Sequence, residues 1–85
     1  MRNIKFTDEA WTSYTYWQTQ DKRTLKRINE LIKDAQRDPF SGIGKPEALK
    51  HSLTGFWSRR IDETNRFIYE ATEEDLVIIS CRYHY

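Results

Sequence analysis

Three segments near the end of the chain, residues 56–61, 66–71 and 76–84, are rich in aromatic and β-branched side chains and are parted only by short polar stretches at 62–65 and 72–75. That is the punctuation of strands and turns. Connections so short cannot hold a parallel crossover, so the three strands must run back and forth as an antiparallel meander. One face of such a sheet has to be covered, and the preceding sequence must supply the cover.

Residues 2–6 alternate polar and apolar, with Ile4 and Phe6 on one side, as a half-buried strand does. Thr7 then offers an N-cap oxygen, and Asp8 and Glu9 place negative charge where the helix dipole favours it. The expected helix runs over residues 8–19, with Trp11, Tyr14 and Trp17 at helical spacing and assigned to the core. Asp21 can cap a second helix, whose stripe of Leu25, Ile28, Leu31, Ile32 and Ala35 ends before Pro39. Joined by so short a link, the two helices should pack as a hairpin. Lys22, Arg23, Lys26, Arg27 and Lys33 make the other face, a solvated one by default but with the charge to lie against RNA. The fold class is therefore α+β in one domain over residues 1–85: an N-terminal strand, a helical hairpin, then the antiparallel meander, with both helices on one face of a small sheet.

A chain of 85 residues buries only about 60% of its unfolded surface. The core is thin, and a partner chain could complete it. Three Trp, five Tyr and four Phe nevertheless set the sequence apart from disordered chains. No apolar stretch approaches the roughly 20 residues that cross a bilayer. Residues 1–6 lack a secretory h-region, so the expected location is the cytoplasm, with no membrane partner. Cys81 is the single cysteine. An internal disulfide is impossible, and Cys81 with His84 makes only half a zinc site, so no metal or other cofactor is expected.

The net charge of +1 is too small for a general nucleic-acid binder, whose affinity comes from neutralising phosphates. Its distribution is more informative. Lys45, Lys50, Arg59 and Arg60 stand against Glu47 alone, whereas residues 62–75 are acid-rich, which allows a local basic face. Residues 38–53 lose periodicity and hold Pro39, Gly42, Gly44 and Pro46, so they form a loop that sets polar groups at defined places. This is not a phosphate-binding glycine loop, because Pro46 rather than Ser or Thr follows Lys45 and no buried strand precedes it.

Along the last strand Arg82 and His84 share a side with Ser80 and Ile78, while Val77, Ile79, Cys81 and Tyr83 share the other, expected to be the core side. Arg60 and Arg66 face each other if the first hairpin loop holds three residues and lie on opposite faces if it holds two. The sequence leaves that register open. An arginine pair near a C-terminal histidine, with Glu47 and Lys50 in a glycine-punctuated loop, suits cleavage of RNA by its own 2′-hydroxyl. A general base takes the hydroxyl proton, a general acid protonates the departing 5′-oxygen, and cations stabilise the charge on phosphorus.

Two runs, Gly44-Lys45-Pro46-Glu47-Ala48-Leu49-Lys50-His51 and Leu53-Thr54-Gly55-Phe56-Trp57-Ser58-Arg59-Arg60-Ile61, resemble the YoeB branch of the RelE toxin superfamily. Arg66 with Tyr69, the helix segment Asn29-Glu30-Leu31-Ile32-Lys33-Asp34 and the terminus Cys81-Arg82-Tyr83-His84-Tyr85 extend the likeness over nearly the whole chain. The resemblance implies a type II toxin that inhibits translation by cutting messenger RNA in the ribosomal A site, without a metal. It implies Glu47 as general base, Arg66 as stabiliser of the phosphate transition state and His84 as general acid, with Tyr85 completing the terminal pair. Lys50 and Arg60 fall on positions implicated in phosphate contact, and Arg59 is a further RNA-binding candidate. The resemblance also implies a homodimer and a cognate YefM-like antitoxin whose C-terminal segment folds over the site and whose DNA-binding part is the only link to DNA. Two other classes compete: a non-enzymatic ParE-like toxin and a plain RNA-binding module on the same scaffold. The intact set Glu47, Arg66, His84 and Tyr85 argues against the first. The near-neutral charge and the mainly core-assigned aromatics argue against the second.

Overall fold

The computed structural model describes residues 1–83, with the elements β1 (Asn3–Phe6), α1 (Asp8–Gln20), α2 (Lys22–Arg37), β2 (Glu47–Ala48), β3 (Trp57–Arg60), β4 (Arg66–Ala71) and β5 (Asp75–Ser80). A single 3-10 turn at His51–Leu53 links β2 to β3.

Both helices begin where the sequence offers an acceptor. The Thr7 hydroxyl accepts the Ala10 N–H at 3.1 Å. Asp21 ends α1 and starts α2, since its own N–H donates to the Trp17 carbonyl while its carboxylate accepts from the Arg23 and Thr24 N–H groups at 3.0 and 3.2 Å. One residue thus closes the helical hairpin.

The strands form one sheet in the order β1-β5-β4-β3-β2, with β3, β4 and β5 as the antiparallel meander and β1 parallel to β5. Strand β2, which has no strand signal of its own, adds antiparallel to the outer edge of β3. Ala10 and Trp17 from α1 and Ile28, Leu31, Ile32 and Ala35 from α2 pack on Phe67, Tyr69, Leu76, Ile78 and Cys81, so both helices lie on one sheet face. Complete burial of such aliphatic and aromatic side chains contributes about 1.5–3 kcal/mol each. Among the described residues no helix is long and apolar enough to cross a membrane.

Expected core assignments fail at three places, one of them Tyr83, which follows β5 and is 59% exposed instead of lying on the core side. Trp11 is 51% exposed, lying on Phe6 and Tyr14 at ring-centroid distances of 5.3 and 5.8 Å rather than in the core, because α1 presents Ala10 and Trp17 to the sheet. In β5 the fully buried residues are Leu76 and Ile78, not Val77 and Ile79. All four are apolar, so alternation alone carried no phase. The register of β4 against β5 then shifts between Ile68 and Tyr69, where Ile68 pairs with Ser80 and Tyr69 with Ile78. The irregularity inverts the alternation, which brings Cys81 to the core side as expected.

Candidate active site

The open sheet face, opposite the helices, collects the polar candidates. The Ile61 N–H donates to the Asn65 carbonyl at 3.0 Å and closes a turn over residues 62–64. That odd count makes Arg60 and Arg66 direct cross-strand partners, so both project from one face. Their row is two residues from Ser58, which pairs on one side with Ile68 and on the other with Glu47. Glu47, Arg60 and Arg66 therefore share the open face. Glu47 and Arg60 are exposed, Arg66 is half-buried, and the central Ser58, Ile68 and Ser80 are buried between them. One Arg66 nitrogen donates to the Asp62 and Asn65 carbonyls at 2.8 and 3.3 Å, which ties the guanidinium to the turn. Lys50 is exposed at the start of the 3-10 turn, just beyond the strand that bears Glu47.

Beside Arg66 runs Tyr83, the last of the described residues. The Arg66 N–H donates to the Tyr83 carbonyl and the Tyr83 N–H to the Asn65 side-chain oxygen, both at 2.7 Å. Tyr83 has φ +62, and the Arg82 guanidinium lies 3.6 Å from the Tyr16 ring centre. The Trp17 indole N–H holds the Cys81 carbonyl at 2.8 Å. His84 and Tyr85, the proposed acid and its neighbour, lie outside the described residues. Asn65 carries no sequence signal of this role. Its amide nitrogen is held by the Asp62 carboxylate at 3.1 Å, and burial opposes ionisation of Asp62 while the N–H and side chain of Asn65 keep its carboxyl below the usual range. Burial pushes the Cys81 thiol up to about 12, which leaves it without a nucleophilic role at neutral pH.

Arg59 is not an RNA contact. It is fully buried, and all of its donors are occupied. Nε donates to the Tyr69 hydroxyl at 2.9 Å; one terminal nitrogen to Asp34 and the Ile43 carbonyl at 2.6 and 3.0 Å; the other to the Asp38 and Ser41 carbonyls at 2.7 and 3.0 Å. The cause is register, since Arg59 pairs with Phe67 and so points towards the helices, opposite to Arg60. Tyr69 donates in turn to the Pro39 carbonyl at 2.5 Å. Asp34 also takes the Ile43 N–H and an Arg37 nitrogen at 2.9 and 2.6 Å; the Arg37 bond chiefly, with Arg59 helping, lowers its carboxyl to about 2. The loop wraps this cluster so closely that a Cβ on Gly42, at φ +121, would meet the Asp34 carboxylate at 2.0 Å.

A concavity of about 930 Å³ lies apart from this face, between β1 and the helices, with Ile4, Phe6, Trp11, Tyr14, Leu25 and Ile32 in its lining. Its lining includes none of the described candidates Glu47, Lys50, Arg60 and Arg66. Among the described residues no three His, Cys, Asp or Glu side chains gather as metal ligands.

Residues 6–85 match the family model of the YoeB-like toxin of bacterial type II toxin–antitoxin systems. Toxin YoeB of Escherichia coli strain K12 is 59% identical over 80 residues, covering 94% of this chain and 95% of that protein. The solved YoeB/ParE toxin from Agrobacterium tumefaciens superposes with a TM-score of 0.94 at 44% identity over 100% of both chains. A YoeB dimer from Staphylococcus aureus matches with a TM-score of 0.92 at 46% identity, covering 99% of this chain and 98% of that one. A YoeB–YefM complex from the same organism matches with a TM-score of 0.91 at 44% identity, covering 100% and 99%.

Proposed function

Because the chain belongs to the YoeB-like toxin family of type II toxin–antitoxin systems, we propose that it is a ribosome-dependent endoribonuclease that cuts messenger RNA in the A site and is silenced by a YefM-like antitoxin. The observation that carries the reading is the convergence of Glu47, Arg60 and Arg66 on one open sheet face beside the C-terminal segment. A carboxylate, guanidinium groups and, next in the chain, an imidazole make an acid–base and phosphate-binding set that a protein acting only by binding does not need.

In this mechanism the nucleophile is the RNA 2′-hydroxyl adjoining the scissile phosphate. Glu47 takes its proton as the 2′-oxygen bonds to phosphorus. Arg66, with Arg60 and Lys50 on the flanking phosphates, stabilises the charge on the phosphoryl oxygens. His84 protonates the 5′-oxygen as the P–O bond breaks, with Tyr85 beside it. The products are a 2′,3′-cyclic phosphate and a free 5′-hydroxyl. No metal-activated water takes part. The proposed working form is a homodimer in the cytoplasm, and DNA enters only through the antitoxin.

The decisive experiment replaces the 2′-hydroxyl at the cut site with hydrogen in a message on programmed ribosomes. Cutting should stop while ribosome binding stays nearly unchanged, and chelator should not slow the chemical step while ribosomes remain intact. A normal cutting rate on the deoxy message, or a 5′-phosphate on the downstream fragment, overturns the mechanism and the roles of all three catalytic residues.

A further inference from the structure

Strand β2 holds Glu47 through only two paired residues, and each end of it leads into loop. Little in β2 itself can keep a carboxylate in place. The segment ahead of it is held from within, because Arg59 spends three of its donors on loop carbonyls, those of Asp38, Ser41 and Ile43. Two further groups complete the hold. Asp34 takes the Ile43 N–H, and Tyr69 reaches the Pro39 carbonyl while accepting from Arg59 Nε. Immediately after the latched stretch, the Gly44 carbonyl accepts the Arg60 N–H at 2.7 Å, so the loop reaches β3 already aligned with the strand that bears Arg60.

We propose that Tyr69 and Arg59, with Asp34, form an internal latch that positions Glu47 against Arg60 and Arg66. The latch touches no substrate; it acts through the loop. The inference rests on the reading of Glu47 as general base. It follows from where the bonds end. A buried arginine needed only for stability could satisfy its donors anywhere in the core, whereas this one sends them to consecutive parts of the segment that delivers Glu47. Catalytic geometry is sensitive to such support, and misplacement of a reacting group by about 1 Å can cost on the order of 100-fold in rate.

The test is Tyr69→Phe, which removes one hydroxyl and keeps the ring in the core, set beside Ile28→Val, which trims the core away from the latch. Both are measured well below their melting temperatures, where a purely structural defect leaves the folded fraction and the rate unchanged. Two quantities are read: kcat and KM for message cleavage on programmed ribosomes, and the side-chain carboxyl NMR resonance of Glu47. Tyr69→Phe should lower kcat by about 10-fold with KM within about 2-fold, and should move the Glu47 resonance. Ile28→Val should do neither. An unshifted Glu47 resonance, an unchanged kcat in Tyr69→Phe, or an equal loss in Ile28→Val overturns the latch. If the wild-type protein leaves the message uncut, the nuclease reading fails by itself and the Glu47 resonance alone decides the latch.

Discussion

Replacing His84 with Gln removes the imidazole proposed to protonate the leaving oxygen. Cleavage on the ribosome should fall by at least about 100-fold with the melting temperature unchanged; a mutant within a few-fold of wild type removes His84 from the mechanism. The adjacent arginines of β3 should part in the opposite sense. Arg59→Met strands the loop carbonyls and breaks a buried pair, so urea denaturation should show a loss of about 3 kcal/mol or more. Arg60→Met, at an exposed position, should stay within about 0.5 kcal/mol while cleavage weakens. Asp34 adds a pH signature. Its folded-state carboxyl lies near 2 against an ordinary 3.8, so its contribution is fully present above about pH 4 and is lost as pH falls towards 2. Asp34→Asn should therefore lose stability at neutral pH and close the gap to wild type across that window. A gap that persists at pH 2 would assign the effect to packing. Glu47, Arg60 and Arg66 were legible in the sequence as candidates, but the inward turn of Arg59 was not, because two successive arginines look alike until a strand register gives them opposite faces.

Elements were read well where they carry their own periodicity. Helix α2 sits between its Asp21 cap and Asp38 as its stripe required, and β4 keeps its expected bounds. The cap sets both helix ends, so Asp21→Ala should cost about 1 kcal/mol in thermal or chemical unfolding; no measurable loss would show that packing alone fixes the hairpin. Strand β2 escaped detection because two residues hold no period, and pairing with β3 is what makes them a strand. The phase of β5 was also hidden, since Leu76 to Ile79 are all apolar and the shift at Ile68 and Tyr69 decides which face each takes.

Across the whole molecule, the sheet order places β1 at the edge opposite β2, while Tyr83 runs beside Arg66. An N-terminal tag therefore starts beside the far sheet edge, whereas a C-terminal one directly follows His84 and Tyr85, the proposed acid and its neighbour. Residues added after Tyr85 should depress cleavage well below that of the N-terminally tagged protein at equal stability, and equal activity of the two forms would place the site elsewhere.

Local rules were enough for the antiparallel meander, the helical hairpin and the covered face, since short connections, caps and periodicity act within a few residues. Tertiary structure alone decided that β1 joins β5 in parallel, that Glu47 meets Arg60 and Arg66 on one face, and that Arg59 serves the loop instead of RNA. Those outcomes depend on pairing between distant segments, where a one-residue change of register turns every side chain to the other face.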